Sequence, residues 1–322
     1  MKAIVQDIYG SPDVLELRDV DMPVAAADEV LIRVRAAGLD QGVWHIMAGR
    51  PYMVRLMGLG LRAPKSPSPR ADVAGVVEAV GEDVTGFQPG DEVFGVGREG
   101  FAEYACAPVD KLAHKPANLT FEQAAAAGIS AMTALQGLRD EVHPGQKVLI
   151  IGASGGVGTF AVQLAKAFGA DVYGVCSTAK VDLVRSIGAD HVIDYTQEDF
   201  ADGRQRYDVI LDTGGNSSLA RLRRALTPKG TLVIVGGEEG GKWTGGFGRQ
   251  IVRAPLLSAV VGQKLRPLTA KERAEDLVAL KELIEAGKVT PVIDRTFPLS
   301  EAADAIRYMR DGKARGKVVI TV

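Results

Sequence analysis

The chain has 322 residues, enough for two domains at roughly 100–200 residues each. Hydrophobic residues make up 46% and charged ones 24%, which excludes wholesale disorder, and 38 Lys and Arg against 40 Asp and Glu leave a net charge of −2, with no basic excess for nucleic acid or an anionic membrane. Two cysteines exclude a disulfide framework and a four-thiolate zinc site and suit a reducing, cytoplasmic setting.

The first residues, 1–7, meet charge too early to supply the apolar core of a secretion signal. Residues 1–115 read as β-rich. Val30–Arg35 alternates apolar and charged side chains as a half-buried strand does, and Val73–Val80 and Asp91–Val96 are short β-branched runs. Phe87–Asp91, with Pro89 and Gly90, is a turn between strands. Residues 49–70 hold Pro51, Pro64, Pro67 and Pro69 without clean periodicity and read as a mobile loop. From about residue 120 the pattern changes. Thr120 followed by Gln123 signals a helix start before the Ala-rich stretch 123–138. Strands at Val148–Ile151, Val172–Val175, His191–Ile193, Val209–Asp212 and Thr231–Val235 then alternate with helices at Val157–Phe168, Lys180–Ile187 and Ser218–Leu226. Such alternation predicts βαβ crossovers and a parallel sheet covered on both faces. Residues 238–249 form a second flexible stretch, Leu256–Val261 is the candidate edge strand, and Lys271–Ala286 is a long amphipathic helix. Two short strands, a helix at Ser300–Arg310 and a strand at Lys317–Val322 complete the chain.

The apolar run Val148–Ala165 is long enough to suggest a membrane span, but it contains a patterned glycine cluster. The strand Val148–Ile151 runs through Gly152, Ala153, Ser154, Gly155, Gly156, Val157 and Gly158 into a helix, the context of a dinucleotide fingerprint. One position must turn sharply, one must lack a side chain beside a pyrophosphate, and one must let helix and strand pack closely. Ala153 stands where the first glycine is usual. The helix N-terminus offers free N–H groups and partial positive charge to phosphates. About 20 residues on, an NAD site places a carboxylate for the ribose 2′-hydroxyl. Here Ser177, Thr178 and Lys180 occupy the strand end, with no carboxylate before Asp182. Hydroxyls and an ammonium attract a 2′-phosphate, which predicts NADPH as the coenzyme.

The whole chain resembles the medium-chain dehydrogenase/reductase superfamily, in its zinc-free quinone oxidoreductase branch. The residues that carry the resemblance are Pro89–Val93, Ala124–Ala125 through Thr133–Leu135, Pro144–Gly158, Gly188–Tyr195 and Gly316–Val319. It implies an α/β protein in which a GroES-like β-rich catalytic domain, residues 1–118 and 262–322, encloses an inserted Rossmann doubly wound domain, residues 119–261. It also implies a coenzyme in the cleft between the two, and homodimers joined through Rossmann edge strands. Residue by residue, it places Ser154, Gly155, Gly156 and Val157 at the phosphates, Tyr195 with Ser177 and Lys180 around the 2′-phosphate, and Thr133 near the nicotinamide ribose. Thr213, Gly214, Val235, Gly236 and Gly237 fall along the nicotinamide half, and Lys317 at the pyrophosphate. The zinc alcohol dehydrogenases of the superfamily hold their catalytic metal at positions matched here by Asp40, Ala71 and Ile129, two of which cannot bind metal. His45, His114, His143 and His191 are scattered at non-ligand spacing, so no metal is expected.

Without a Lewis acid, a good hydride acceptor is the fitting substrate: a quinone or another activated carbonyl compound. Such a substrate needs positioning in a dry apolar slot with one donor near the developing oxyanion. Asp40 reads either as a bond to a water or substrate oxygen or as a turn-capping carboxylate. Tyr52 reads either as a donor to a carbonyl or as a packed loop aromatic. Trp44 reads as packing, and Met53–Met57 as a lid, a dimer contact or a disordered loop. Cys106 and Cys176 lie in strand-like stretches and read as buried thiols. Two further readings stay open: reduction of the C=C bond of enals, enones or enoyl thioesters, and a catalytically silent NADPH-binding regulator.

Overall fold

A computed structural model describes every residue except 54, 237–242 and 244, and describes no side chain at 57, 58 or 245–251. The chain divides into two compact units, residues 1–132 with 272–287 and 291–322, and residues 133–271 with 288–290.

The first 132 residues carry seven strands: β1 (Lys2–Val5), β2 (Glu16–Asp19), β3 (Glu29–Leu39), β4 (Ala71–Val80), β5 (Glu92–Gly97), β6 (Tyr104–Pro108) and β7 (Leu112–His114). Helix α1 (Gln41–Ala48) is capped by Asp40, whose carboxylate accepts the Val43 N–H at 3.1 Å, and it ends at Gly49, where φ is +58°. The stretch expected as one helix over 123–138 is two, α2 (Phe121–Ala126) and α3 (Ile129–Leu138). Thr120 and Gln123 close a capping box on α2. The break has a tertiary cause: Asp72, on β4, accepts the Ile129 N–H at 2.7 Å, and a Cβ at Gly128 would lie 2.2 Å from the same oxygen.

The middle of the chain forms the second sheet from β8 (Lys147–Ile151), β9 (Asp171–Cys176), β10 (His191–Asp194), β11 (Tyr207–Asp212), β12 (Leu226–Ile234) and β13 (Lys264–Pro267). Its six strands pair in parallel in the order β10-β9-β8-β11-β12-β13. Helices α4 (Gly156–Ala167), α5 (Val181–Ser186), α6 (Leu219–Ala225) and α7 (Gly245–Ser258) connect them. Leu149, Ile151, Val175, Ile210, Leu232, Ile234 and Leu265 build its core. The run Val148–Ala165 is thus a strand, a turn and a helix, and among the described residues no helix is long and apolar enough to cross a membrane.

The tail supplies α8 (Ala274–Glu285), β14 (Ile293–Pro298), α9 (Ala302–Arg310) and β15 (Lys317–Thr321). It returns to the first unit, giving a seven-stranded sheet in the order β14-β15-β3-β4-β5-β7, with β6 also paired to β3. Val30, Ile32, Val34, Val73, Val77, Val93 and Leu112 fill one side of it.

Three further features differ from the sequence reading. The unit boundaries lie at 132 and 271, not 118 and 261, because α2 packs on β3 and β4 and because β13 extends the parallel sheet beside β12. Leu256 belongs to helix α7, and the edge strand is β13; Val252 and Leu256, exposed and one helical turn apart, show the helical period that the segment 256–261 alone conceals. Before the helix that ends at Arg310, one strand stands where two were expected. The segment 49–70 carries a π-helical turn at Arg55–Leu59, and the Tyr9 hydroxyl donates to the Leu59 and Gly60 carbonyls at 2.8 Å each.

Candidate coenzyme site and buried charge cluster

In the second unit the site is built where the carboxyl ends of β8, β9, β11 and β12 meet short turns. Gly152 leaves β8 at φ +81°, and a Cβ there would lie 2.5 Å from the Thr213 hydroxyl oxygen. A Cβ on Gly158 would lie 2.1 Å from the Gly152 carbonyl oxygen, so α4 packs against the turn at a distance only glycine permits. Gly155 differs: among the described residues the one atom beyond its chain neighbours and its own helix that a Cβ would approach is the Gly152 oxygen, at 3.3 Å. It is also the N-cap of α4, with no side-chain capping bond, so the first amides of the helix are left for an external acceptor. Ala153 fits in place of the usual glycine because Gly174 on β9 faces it, with 3.2 Å between the Ala153 Cβ and the Cβ that Gly174 lacks. Ser154 is buried, and Gly156 and Val157 open the helix.

At the end of β9, the pairing of Cys176 with Asp194 sets Ser177 beside Tyr195, with Lys180 closing the 3₁₀ turn Thr178–Lys180. Tyr195 is exposed. Thr178 is corrected: its hydroxyl donates to Asp194 at 2.5 Å and is spent within the protein. Asp194 is the residue sequence spacing missed, since it lies beyond the usual window but reaches the strand end through sheet pairing. Donors from Thr178, Thr196 and Gln197 satisfy its carboxylate and hold it below the usual range.

The remaining turns close on one another. The Thr213 hydroxyl donates to the Ile151 carbonyl at 2.7 Å, Val235 and Gly236 N–H groups donate to the Asp212 carbonyl, and a Cβ on Gly236 would lie 2.2 Å from the Thr213 oxygen. Gly214 lies between, its N–H drawing on the Asp212 carboxyl. Thr133 is buried on α3, one turn before Gly137, which packs against Leu211 and Val233. The expectation at Gly237 lies outside the described residues. Open space at Gly155, free helix amides and glycine-only approaches at Gly158 and Gly236 fit a dinucleotide.

In the first unit, Lys317 departs from its expected place at a pyrophosphate. It is 1% exposed, and its ammonium lies 3.4 Å from Asp72 Oδ2 and donates to Ser130 Oγ at 3.0 Å. A buried ammonium needs such partners, which explains the assignment. Asp72 is fully buried; desolvation pushes its carboxyl up, Lys317 opposes this and Asp40 adds to it. Positions 40, 71–72 and 129 therefore do converge, around a carboxylate and an ammonium. Asp40 takes the capping role, while its Oδ2 is buried without a partner. The Tyr52 ring lies under the Arg55 guanidinium at 4.9 Å, and Trp44 packs under Arg310 at 3.7 Å. Among the described residues no group of three His, Cys, Asp or Glu is placed to hold a metal ion. Cys106 and Cys176 are buried, and burial pushes both thiols up to about 11.

A family model described as an alcohol dehydrogenase GroES-like domain matches residues 26–117, and one described as a zinc-binding dehydrogenase matches residues 187–320. The chain is 36% identical to a protein of Arabidopsis thaliana named NADPH-dependent alkenal/one oxidoreductase, chloroplastic, over 99% of this chain and 79% of that one. It is 34% identical to the quinone oxidoreductase of Sus scrofa, over 99% and 97%. Among solved structures, the quinone oxidoreductase from Coxiella burnetii matches at TM-score 0.86 and 30% identity, over 100% of this chain and 99% of that one. The chain is an oxidoreductase and belongs to the medium-chain dehydrogenase/reductase superfamily, in its quinone oxidoreductase branch.

Proposed function

We propose that this protein passes reducing equivalents from NADPH to a quinone or another activated carbonyl acceptor, without zinc. The observation that carries the coenzyme choice is the end of β9, where Ser177 and Lys180 follow the strand, Tyr195 follows the paired end of β10, and the Asp194 carboxylate is turned onto its own donors. When bound, a nicotinamide coenzyme supplies hydride. The chain's own residues do the rest: the α4 amides and Ser154 hold phosphate oxygens, Gly155 admits them, and Thr213, Gly214, Val235, Gly236 and Thr133 line the nicotinamide half. Independence from zinc is supported by Ala71 and Ile129, which offer no ligand atom. On the substrate side we assign Tyr52, whose hydroxyl would donate to the acceptor oxygen, and Asp40, whose carboxylate would hold a water or a substrate hydroxyl beside it.

Titration with NADPH and NADH tests the coenzyme assignment. Each charge-assisted hydrogen bond to the 2′-phosphate contributes about 1.5–3 kcal/mol, so NADPH is expected to bind at least tenfold more tightly. Equal dissociation constants overturn it. The name of the Arabidopsis relative favours a second reading, reduction of an enal or enone at its C=C bond. One reduced alkene per NADPH in an acceptor screen supports that reading over quinone reduction. The protein is further proposed to be a cytoplasmic homodimer, with the unpaired edge of β13 and the exposed Val252, Leu256 and Val260 near it as the contact.

A further inference from the structure

Asp212 ends β11, beside β8, where the strand order turns from β9 and β10 on one side to β12 and β13 on the other. Open parallel sheets hold their ligands at this switch point, outside the carboxyl ends of the strands. The Asp212 side chain is fully buried there. Its Oδ1 accepts the Gly215 N–H at 3.0 Å, whereas its Oδ2 has no partner among the described residues. No described Lys, Arg or His forms an ion pair with it, and only the amides of Gly214 and Gly215 oppose the desolvation that pushes this carboxyl up to about 6. At neutral pH the fold thus carries a buried negative charge with no counter-ion among the described residues, directly beneath the Thr213–Gly215 turn. Burying such a charge is unfavourable, and sites that do so commonly have a functional reason.

We propose that Asp212 sets the reducing strength of the bound nicotinamide, its carboxylate favouring the oxidised, cationic ring over the reduced, neutral one. The proposal rests on the nicotinamide assignment above. In the reaction NADPH + acceptor + H⁺ → NADP⁺ + reduced acceptor, a C–H bond of the dihydronicotinamide breaks and its electron pair leaves with the hydrogen. The ring thereby gains one positive charge, and the acceptor takes the hydride plus a solvent proton. Among the described residues Asp212 has no counter-charge, and the oxidised ring would bring one. A purely structural role, folding the Thr213–Gly215 turn, would affect both coenzyme forms alike.

The test is Asp212→Asn, which keeps the shape and one acceptor oxygen but removes the charge, with dissociation constants for NADPH and NADP⁺ measured by titration calorimetry. The ratio of the NADP⁺ constant to the NADPH constant is expected to rise about tenfold, equivalent to about 30 mV in the two-electron potential of the bound coenzyme. Asp208→Asn removes a charge at the opposite end of the same strand and is expected to leave the ratio unchanged. Where the asparagine variant fails to fold, Asp212→Ser, whose hydroxyl accepts from the same amide, reads the same ratio. Equal weakening of both forms, or an unchanged ratio, overturns the proposal. A wild-type protein that binds neither form overturns the nicotinamide assignment, and the proposal falls with it.

Discussion

Each unit contains a fully buried aspartate at the end of a strand, and the two are satisfied in opposite ways. Asp72 is the second residue of β4 and is met from within its own unit: an amide on one oxygen, the Lys317 ammonium facing the other, and Ser130 completing the ammonium's partners. Asp212 ends β11 with two amides and, among the described residues, no cation and one bare oxygen. Burial pushes both carboxyls up. The first charge is closed inside the fold and reads as structure; the second is buried without a described counter-charge, at the place proposed for the nicotinamide. The distinction between closed and open polar groups separates what holds this protein together from what it does.

The contrast is broken most directly at Lys317. Lys317→Met leaves Asp72 buried without its cation, and removing one partner of a buried ion pair destabilises by about 3–5 kcal/mol. Chemical denaturation is expected to show that loss, and the double variant Asp72→Asn, Lys317→Met is expected to recover part of it. Full additivity of the two single changes would mean that the pair is not coupled, and Asp72 would then resemble Asp212 after all.

Asp212 has the opposite sign. A carboxyl whose folded value is raised from 3.8 to about 6 binds its proton more tightly when folded. Its contribution to stability is present below pH 3.8 and is lost as pH rises through 6. Asp212→Asn is therefore expected to flatten the stability profile between about pH 4 and 6, and to be up to about 3 kcal/mol more stable than the parent at pH 8. A variant that is less stable at pH 8 by a similar amount would show that the carboxylate is needed for folding, and the contrast with Asp72 would narrow.

The parts of this picture legible in the sequence are those with a local cause. The Gly152–Gly158 turn lies between a strong strand and a strong helix, and the Thr120–Gln123 capping box is a four-residue pattern. Both needed only neighbours in the chain. What stayed hidden depends on distant partners. Asp72 caps Ile129 from 57 residues away and splits one expected helix into two. Lys317 reads as a free tail cation until β15 pairs with β3 and buries it. Asp194 reaches the end of β9 only because β10 lies in register with it. The Asp212 charge gave no signal at all, since an aspartate ending a strand is ordinary until the absence of a nearby cation is seen in three dimensions.

The same division between closed and open positions can be read along a single turn. At Gly158 the space of a side chain is taken by the Gly152 carbonyl at 2.1 Å; at Gly155 a Cβ would meet, among the described residues, only the Gly152 oxygen at 3.3 Å. Gly158→Ala is therefore expected to push α4 off the turn, lowering stability by about 1–3 kcal/mol, as overpacking does, and weakening coenzyme binding with it. Gly155→Ala is expected to leave stability within about 0.5 kcal/mol while still weakening NADPH at least tenfold, because the methyl group fills space that only a ligand would use. The ordering matters more than either magnitude, and thermal melts with and without NADPH read it directly. If Gly155→Ala binds as the parent does, the open space at that glycine is not where the phosphates rest, and the free amides of α4 lose their assigned partner.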